Sequence, residues 1–230
     1  MATGPDQSNE RGRRAEEVAR WYFRLNGCFQ TGFVLHADQP GRQITDADIC
    51  AVRFPHTEEK LRDIRMTDDR WFTRTAPNGQ ILLFVAEITQ GGPCKVNGPW
   101  TDHSRGGMEK VVQRFGFADA AKVPEIVSSM YDRLWWGDDK HVLTYVAIGE
   151  RASRDLATRY PKLVQLTWED IARFLWDRFH AFGEIKGVPA QWPIFGRHFA
   201  KLVERDHIAS AADTVSCVTS FIKDGITDGV

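Results

Sequence analysis

The run Ile81-Leu82-Leu83-Phe84-Val85-Ala86-Glu87-Ile88 constrains this chain more than any other stretch. Its apolar residues follow an Asn78-Gly79 turn signal and are ended by Gly91-Gly92-Pro93, so it reads as a buried strand. A strand of that character has to sit in a sheet covered by other elements. Near its end stands a carboxylate, Glu87. A second strand of similar character, Ile44 to Phe54, carries Asp48 and is ended by Pro55. A carboxylate at the end of a buried strand is costly unless it is paired, hydrogen-bonded or metal-bound. Two of them on neighbouring strands predict a site for a hard cation with oxygen ligands. Asp46 shares the strand face of Asp48 by the two-residue period and is read as the solvated residue at the strand entrance.

The other elements are placed by the same signals. Residues 1–10 read as disordered. Ala15, Val18, Ala19, Tyr22, Phe23 and Leu25 recur at helical spacing from Arg11 to Asn26, and Gly27 gives the stop. Cys28 to Leu35 alternates as a strand. Residues 56–80 form a long polar excursion between the two buried strands, which are expected to be antiparallel neighbours. Helices are predicted over residues 108–117 and, with Pro124 in its first turn, over 123–135. His141 to Gly149 is a fourth strand and Leu163 to Leu166 a short fifth. Thr167 reads as the N-cap of an amphipathic helix running to Phe182, and a final helical lobe spans 195–222. The order predicts an α/β core with a mixed central sheet flanked by helices, residues 11–166, and a helical C-terminal extension, 167–230.

Composition narrows the function classes. With 30 basic and 31 acidic residues, a globally basic footprint for nucleic acid is excluded, and such binding needs a local patch. No apolar run approaches the roughly 20 residues needed to cross a bilayer, and the polar N-terminus precedes no signal-like apolar core, so the expectation is a cytoplasmic protein without a membrane partner. The four cysteines lack any C-x-x-C spacing and predict neither zinc site nor disulfide framework. Eight tryptophans is a high count. Trp100, Trp135, Trp136 and Trp192 could stack on bases, but buried anchors or an interface explain them more simply.

A third carboxylate, Glu16, lies on the first helix in Gly12-Arg13-Arg14-Ala15-Glu16-Glu17-Val18-Ala19. One helical and two strand carboxylates in this order resemble the PD-(D/E)XK nuclease superfamily, the restriction-endonuclease-like fold. Gly12, Glu16, Ala19 and Gly27 fit its leading helix, Asp48-Ile49-Cys50-Ala51 its first acidic strand, and Phe84-Val85-Ala86-Glu87-Ile88 its second. The likeness covers roughly residues 11–166. It implies metal-dependent hydrolysis of DNA phosphodiesters, with Glu16, Asp48 and Glu87 holding magnesium or manganese and metal-activated water as the nucleophile. It implies roles in restriction, repair or defence.

The likeness breaks at one position. The superfamily places a lysine two residues after the second acid, and here that position is Thr89. Three readings stay open: Lys95 on the following loop or Lys110 on the following helix supplies the charge, a glutamine such as Gln113 or Gln90 does part of the work, or the site is degenerate and the fold serves as a binding or scaffold subunit. DNA is the expected partner, and a protein partner or a homo-oligomer fits the third reading. The basic set Arg11, Arg13 and Arg14 is a further candidate for gripping phosphate.

Overall fold

The structure, a computed structural model, is described for residues 5–36, 43–61, 64–65, 67–182, 192–204 and 207–226. The chain runs α1 (Pro5–Leu25), β1 (Phe29–His36), β2 (Gln43–Arg53), a two-rung hairpin β3 (Lys60–Leu61) and β4 (Ile64–Arg65), α2 (Arg70–Thr75) and β5 (Ile81–Ile88). It continues with α3 (Gly107–Phe115), α4 (Val123–Arg133), β6 (Trp135–Gly137), β7 (His141–Gly149), α5 (Arg154–Arg159), β8 (Val164–Thr167), α6 (Trp168–Phe182), α7 (Ile194–Glu204) and α8 (Ala211–Asp224).

The main sheet has the order β1-β2-β5-β7-β6, and β8 shares the outer edge of β7 with β6. β1, β2 and β5 form an antiparallel meander. β5 and β7 are parallel over their whole length, Ile81 opposite His141 through Ile88 opposite Ile148, and α3, α4 and β6 lie in the crossover between them. The sheet is therefore mixed and open, with helices on both faces. The two-residue period of β5 explains the layering. Leu82, Phe84 and Ala86 pack with α1, α6, α7 and α8, whereas Leu83 and Val85 pack with α3 and α4.

Several expectations shift. Residues 5–10 are helical, so α1 begins well before the expected start at Arg11. The helix expected to reach Trp135 stops at Arg133, because Leu134 takes a left-handed conformation (φ 53°) and the chain turns into β6. The short elements β3, β4, α2 and α5 were not predicted. The helices after Thr167 do not build a core of their own. Trp168, Ile171, Leu175, Phe195, Phe199, Val218 and Phe221 join the same buried cluster as Val18, Tyr22 and Phe84. Arg14 fastens α1 to α8: its Nε and Nη2 donate to the carbonyls of Ile222 (3.1 Å) and Lys223 (2.8 Å), the last turn of α8. A cation at a helix C-terminus satisfies carbonyls that lack intrahelical partners.

The polar excursion 56–80 is anchored rather than loose at its centre. Asp69 caps α2, accepts from the Tyr22 hydroxyl (2.7 Å) and donates its backbone N–H to Asn26 Oδ1 (2.9 Å). Beside it Asp68 lies between two buried guanidinium groups, Arg53 and Arg178. Arg53 Nε also donates to the Asn26 carbonyl (2.9 Å), and Arg178 Nη2 to the Leu25 carbonyl (2.5 Å). This network ties the excursion to the end of α1 and to α6, so its central residues serve the fold before any partner.

Candidate active site

β2 carries one residue too many against β1. Thr31 faces Cys50 and Phe33 faces Ala47, so Asp48 and Ile49 together oppose Gly32. This bulge changes which face each side chain takes: Ala47 and Cys50 both join the α3/α4 side, while Ile49 joins the α1 side. Pairing between β2 and β5 starts at Ile49 opposite Ala86. Asp48 is thereby carried past the last rung, where its Oδ2 accepts from the backbone N–H of Ile88 (2.9 Å). Bulges are often found next to active sites, because they re-aim a side chain.

Glu87 follows the alternation of β5 onto the α3/α4 side and is 8% exposed. Its Oε2 accepts from Trp100 Nε1 (2.8 Å) and from the Tyr145 hydroxyl (3.1 Å), and its Oε1 from Asn97 Nδ2. Burial pushes its pKa up to about 7, and the negative charge of Asp48 pushes in the same direction, against the lowering effect of the three donors. Tyr145 is raised well above the ordinary phenol value by burial and by Glu87, so its hydroxyl keeps its proton and acts as a donor.

The loop after β5 delivers two of these donors because it is stitched to the end of β7. Cys94 N–H donates to the Arg151 carbonyl (2.8 Å), and Glu150 N–H to the Gly92 carbonyl (2.9 Å). The two backbones touch at Gly149, where a Cβ would lie 2.8 Å from Cys94 N and 3.0 Å from the Pro93 carbonyl carbon. Gly149→Ala is expected to push the loop off β7 and cost about 1–3 kcal/mol, with altered near-ultraviolet circular dichroism as Trp100 loses its place. Unchanged thermal unfolding of that variant would contradict this account.

The structure brings two of the three expected carboxylates together. Asp48 and Glu87 are close enough for the charge of one to move the pKa of the other. Glu16 meets neither directly: its Oε2 faces Arg20 Nη2 at 3.5 Å, the nitrogen that also donates to the Asp48 backbone carbonyl. Among the described residues no three carboxylate, histidine or cysteine side chains converge as a metal-binding group. All-oxygen ligands suit a hard cation. A carboxylate offers about four lone-pair positions, and Glu87 uses three, so the pair fits one such cation sparingly.

Lys95 is exposed on the stitched loop, and it is Asn97, two residues on, that reaches Glu87. Lys110 is half-buried on α3. Gln113 is exposed and donates to Glu109 (3.1 Å), and Gln90 donates to the Ser8 carbonyl (3.1 Å). Thr89 is half-buried and continues the sheet through its N–H to the Ile148 carbonyl (2.9 Å). Trp100 is fully buried and bonded to Glu87, so it is an anchor and not a base-stacking platform. Asn97 and Tyr145 went unrecognised because only the folded loop and the parallel neighbour β7 place them beside Glu87. Asn97-Gly98-Pro99-Trp100 was visible as a motif, but nothing in its composition pairs it with a strand ten residues earlier.

The chain is thus a mixed α/β protein with a mixed open sheet flanked by helices and an acidic pair of which Glu87 is near the end of β5, while Asp48, expected at a strand end, sits at the bulge in the middle of β2, where pairing with β5 stops. Among the described residues no helix is long and apolar enough to cross a membrane. Comparison of the chain with known protein families, with curated proteins and with solved structures found no match in any of the three.

Proposed function

We propose that this chain is a restriction-endonuclease-like protein that hydrolyses DNA phosphodiesters with the help of a divalent cation. The observation that carries the reading is the Asp48–Glu87 pair, with Asp48 at the β2 bulge just beyond the last β2–β5 rung and Glu87 near the end of β5, close enough for one charge to act on the other. The element order supports it: a leading helix, a three-strand antiparallel meander, crossover helices and a strand parallel to the third. Asp48 and Glu87 would hold the cation. Bound there, magnesium or manganese would supply a Lewis acid that activates water and offsets the charge of the phosphodiester being cut. The chain's own contribution is orientation. Ile88 N–H fixes Asp48, while Trp100 and Tyr145 fix Glu87, and such outer partners commonly hold the ligands of a metal site in position.

A second reading, a catalytically degenerate binding or scaffold subunit, draws support from Thr89 in place of a lysine and from the three donors already on Glu87. The test is cleavage of supercoiled and linear DNA with magnesium or manganese by the wild type, Asp48→Asn and Glu87→Gln. The nuclease reading expects cutting by the wild type and a loss of about a hundredfold or more in each variant. Equal inactivity of all three proteins across these substrates would sink it and leave the scaffold reading.

A further inference from the structure

We propose that Asn78 is a self-modification site, where the folded protein converts an asparagine to aspartate and isoaspartate with loss of ammonia; this stands independently of the nuclease reading. The chain has three Asn-Gly pairs, Asn26-Gly27, Asn78-Gly79 and Asn97-Gly98. Glycine lacks the Cβ that would shield its amide nitrogen, so each pair has the composition for attack of that nitrogen on the preceding side chain. The fold decides which pair can use it.

Asn26 is fully buried. Its Nδ2 donates to the Tyr22 carbonyl (2.9 Å), and its Oδ1 accepts from Asp69 N–H (2.9 Å). The Gly27 N–H, which would have to attack, donates to the Arg24 carbonyl (3.0 Å). Asn97 is exposed, but its Nδ2 donates to Glu87. Its backbone is extended (φ −74°, ψ 155°) ahead of a turn closed by Trp100 N–H on the Asn97 carbonyl (3.0 Å). Asn78 has none of these restraints. It lies with Gly79 in the exposed turn between α2 and β5. Among the described residues neither its side-chain amide nor the Gly79 N–H makes a hydrogen bond; only its backbone N–H does, to Gln80 Oε1 (3.4 Å). Gly79 has a φ of 71°, and apart from its chain neighbours a Cβ there would meet only Pro55 Cβ, at 4.0 Å. Nothing crowds the residue that has to move. The turn is held on its two sides, by Ala76 N–H on the Phe72 carbonyl (3.1 Å) and Ile81 N–H on the Lys140 carbonyl (2.8 Å), so its tip can reorganise without opening β5.

The chemistry needs only water. The Gly79 amide nitrogen loses its proton to hydroxide and attacks Asn78 Cγ. An N–Cγ bond forms, the Cγ–Nδ2 bond breaks, and Nδ2 leaves as ammonia with a proton from water, closing a cyclic imide. Water then adds to one ring carbonyl and the ring C–N bond there breaks. Cleavage at Cγ gives aspartate; cleavage at the main-chain carbonyl gives isoaspartate. One water enters, one ammonia leaves, nothing is oxidised or reduced, and the protein gains one negative charge.

The experiment is peptide mapping by mass spectrometry of the folded protein kept at mildly alkaline pH in heavy-oxygen water. The guanidinium-unfolded chain and Asn78→Gln run in parallel, and isoaspartate is read by an isoaspartate-specific carboxyl methyltransferase with labelled S-adenosylmethionine. Folded wild type should gain a carboxylate carrying solvent oxygen at residue 78, as a mixture of the two isomers, and Asn78→Gln should not. Asn26 should react about a thousandfold more slowly or less, since it waits for the core to open. Asn97 should lag by about tenfold, the worth of a hydrogen bond to a carboxylate. In guanidinium, where the fold no longer selects, the three pairs should react at similar rates. The oxygen label reads wild type alone, so a variant that fails to fold does not remove the test. Asn78 left intact in the folded protein overturns the inference, as does Asn26 or Asn97 reacting as fast as Asn78. Aspartate without isoaspartate overturns ring closure, and a preference for Asn78 that persists unchanged in guanidinium overturns selection by the fold.

Discussion

Glu87→Ala is expected to destabilise the protein by about 3 kcal/mol or more, while Glu87→Gln leaves it folded and less sensitive to pH. The alanine removes the acceptor of two fully buried donors, Trp100 Nε1 and the Tyr145 hydroxyl. Each orphaned buried donor costs about 1–3 kcal/mol, and the vacated volume adds to it. Glutamine keeps the volume and one acceptor oxygen for both groups, and Asn97 can turn its amide to meet the new NH2. The pH dependence has a definite sign. A carboxyl whose pKa is about 7 in the folded chain and near the ordinary 4.5 in the unfolded chain binds its proton more tightly when folded. Its contribution is therefore fully favourable below about pH 4.5 and is lost as pH rises through 7, at most about 3 kcal/mol in total. Denaturant unfolding of wild type and Glu87→Gln at pH 5, 6, 7 and 8 measures this directly, and the difference between the two should grow toward pH 8 in favour of glutamine. Parallel curves would show that Glu87 does not titrate there. A practical consequence concerns the cleavage test: an alanine at this position can abolish activity merely by loosening the core, so glutamine is the informative replacement.

Asp68→Ala is expected to be about as damaging, at roughly 3–5 kcal/mol. Asp68 is the shared partner of Arg53, 7% exposed, and Arg178, 3% exposed. Removing it leaves two largely buried guanidinium groups without their shared counter-charge. Arg178 would retain Glu59 (3.4 Å) and the Leu25 carbonyl, and Arg53 only backbone carbonyls. Asp68→Asn should be milder, because it keeps an acceptor while losing the charge. If Asp68→Ala unfolded at the wild-type denaturant midpoint, the network would be ornamental and the excursion would be held by Asp69 and its contacts to Asn26 and Tyr22 alone.

The strands were legible because burial imposes a period. Ile81–Ile88 could be nothing but a central strand, and the alternation of its side chains carries through to both cores. Helices α1, α4 and α6 were equally visible from apolar spacing and from Pro124 and Thr167. What the sequence hid has a common cause: each missed feature depends on two segments meeting. The bulge at Asp48 has no composition signature, since Thr45-Asp46-Ala47-Asp48-Ile49 reads as plain alternation until β1 is laid beside it. Glu16 fits its motif yet is captured by Arg20 one turn on, a local pairing that motif spacing ignores. Leu134 in a left-handed conformation is a break that leucine would not lead one to expect. The helical segment after Thr167 looked separable because it is contiguous and amphipathic, and only its packing against Trp21 and Tyr22 shows that it completes the first helix's core.

The clamp between Arg14 and the end of α8 has a consequence for biosynthesis. The apolar face of α1, with Trp21, Tyr22 and Phe23, is translated before the helices α6, α7 and α8 that cover it. Contacts that separate partners by some 200 residues of chain close slowly and leave adhesive surface uncovered in the meantime. The nascent protein therefore carries part of that aromatic surface uncovered until these helices emerge, and a chain that stops before Trp168 keeps α1 without α6, α7 and α8.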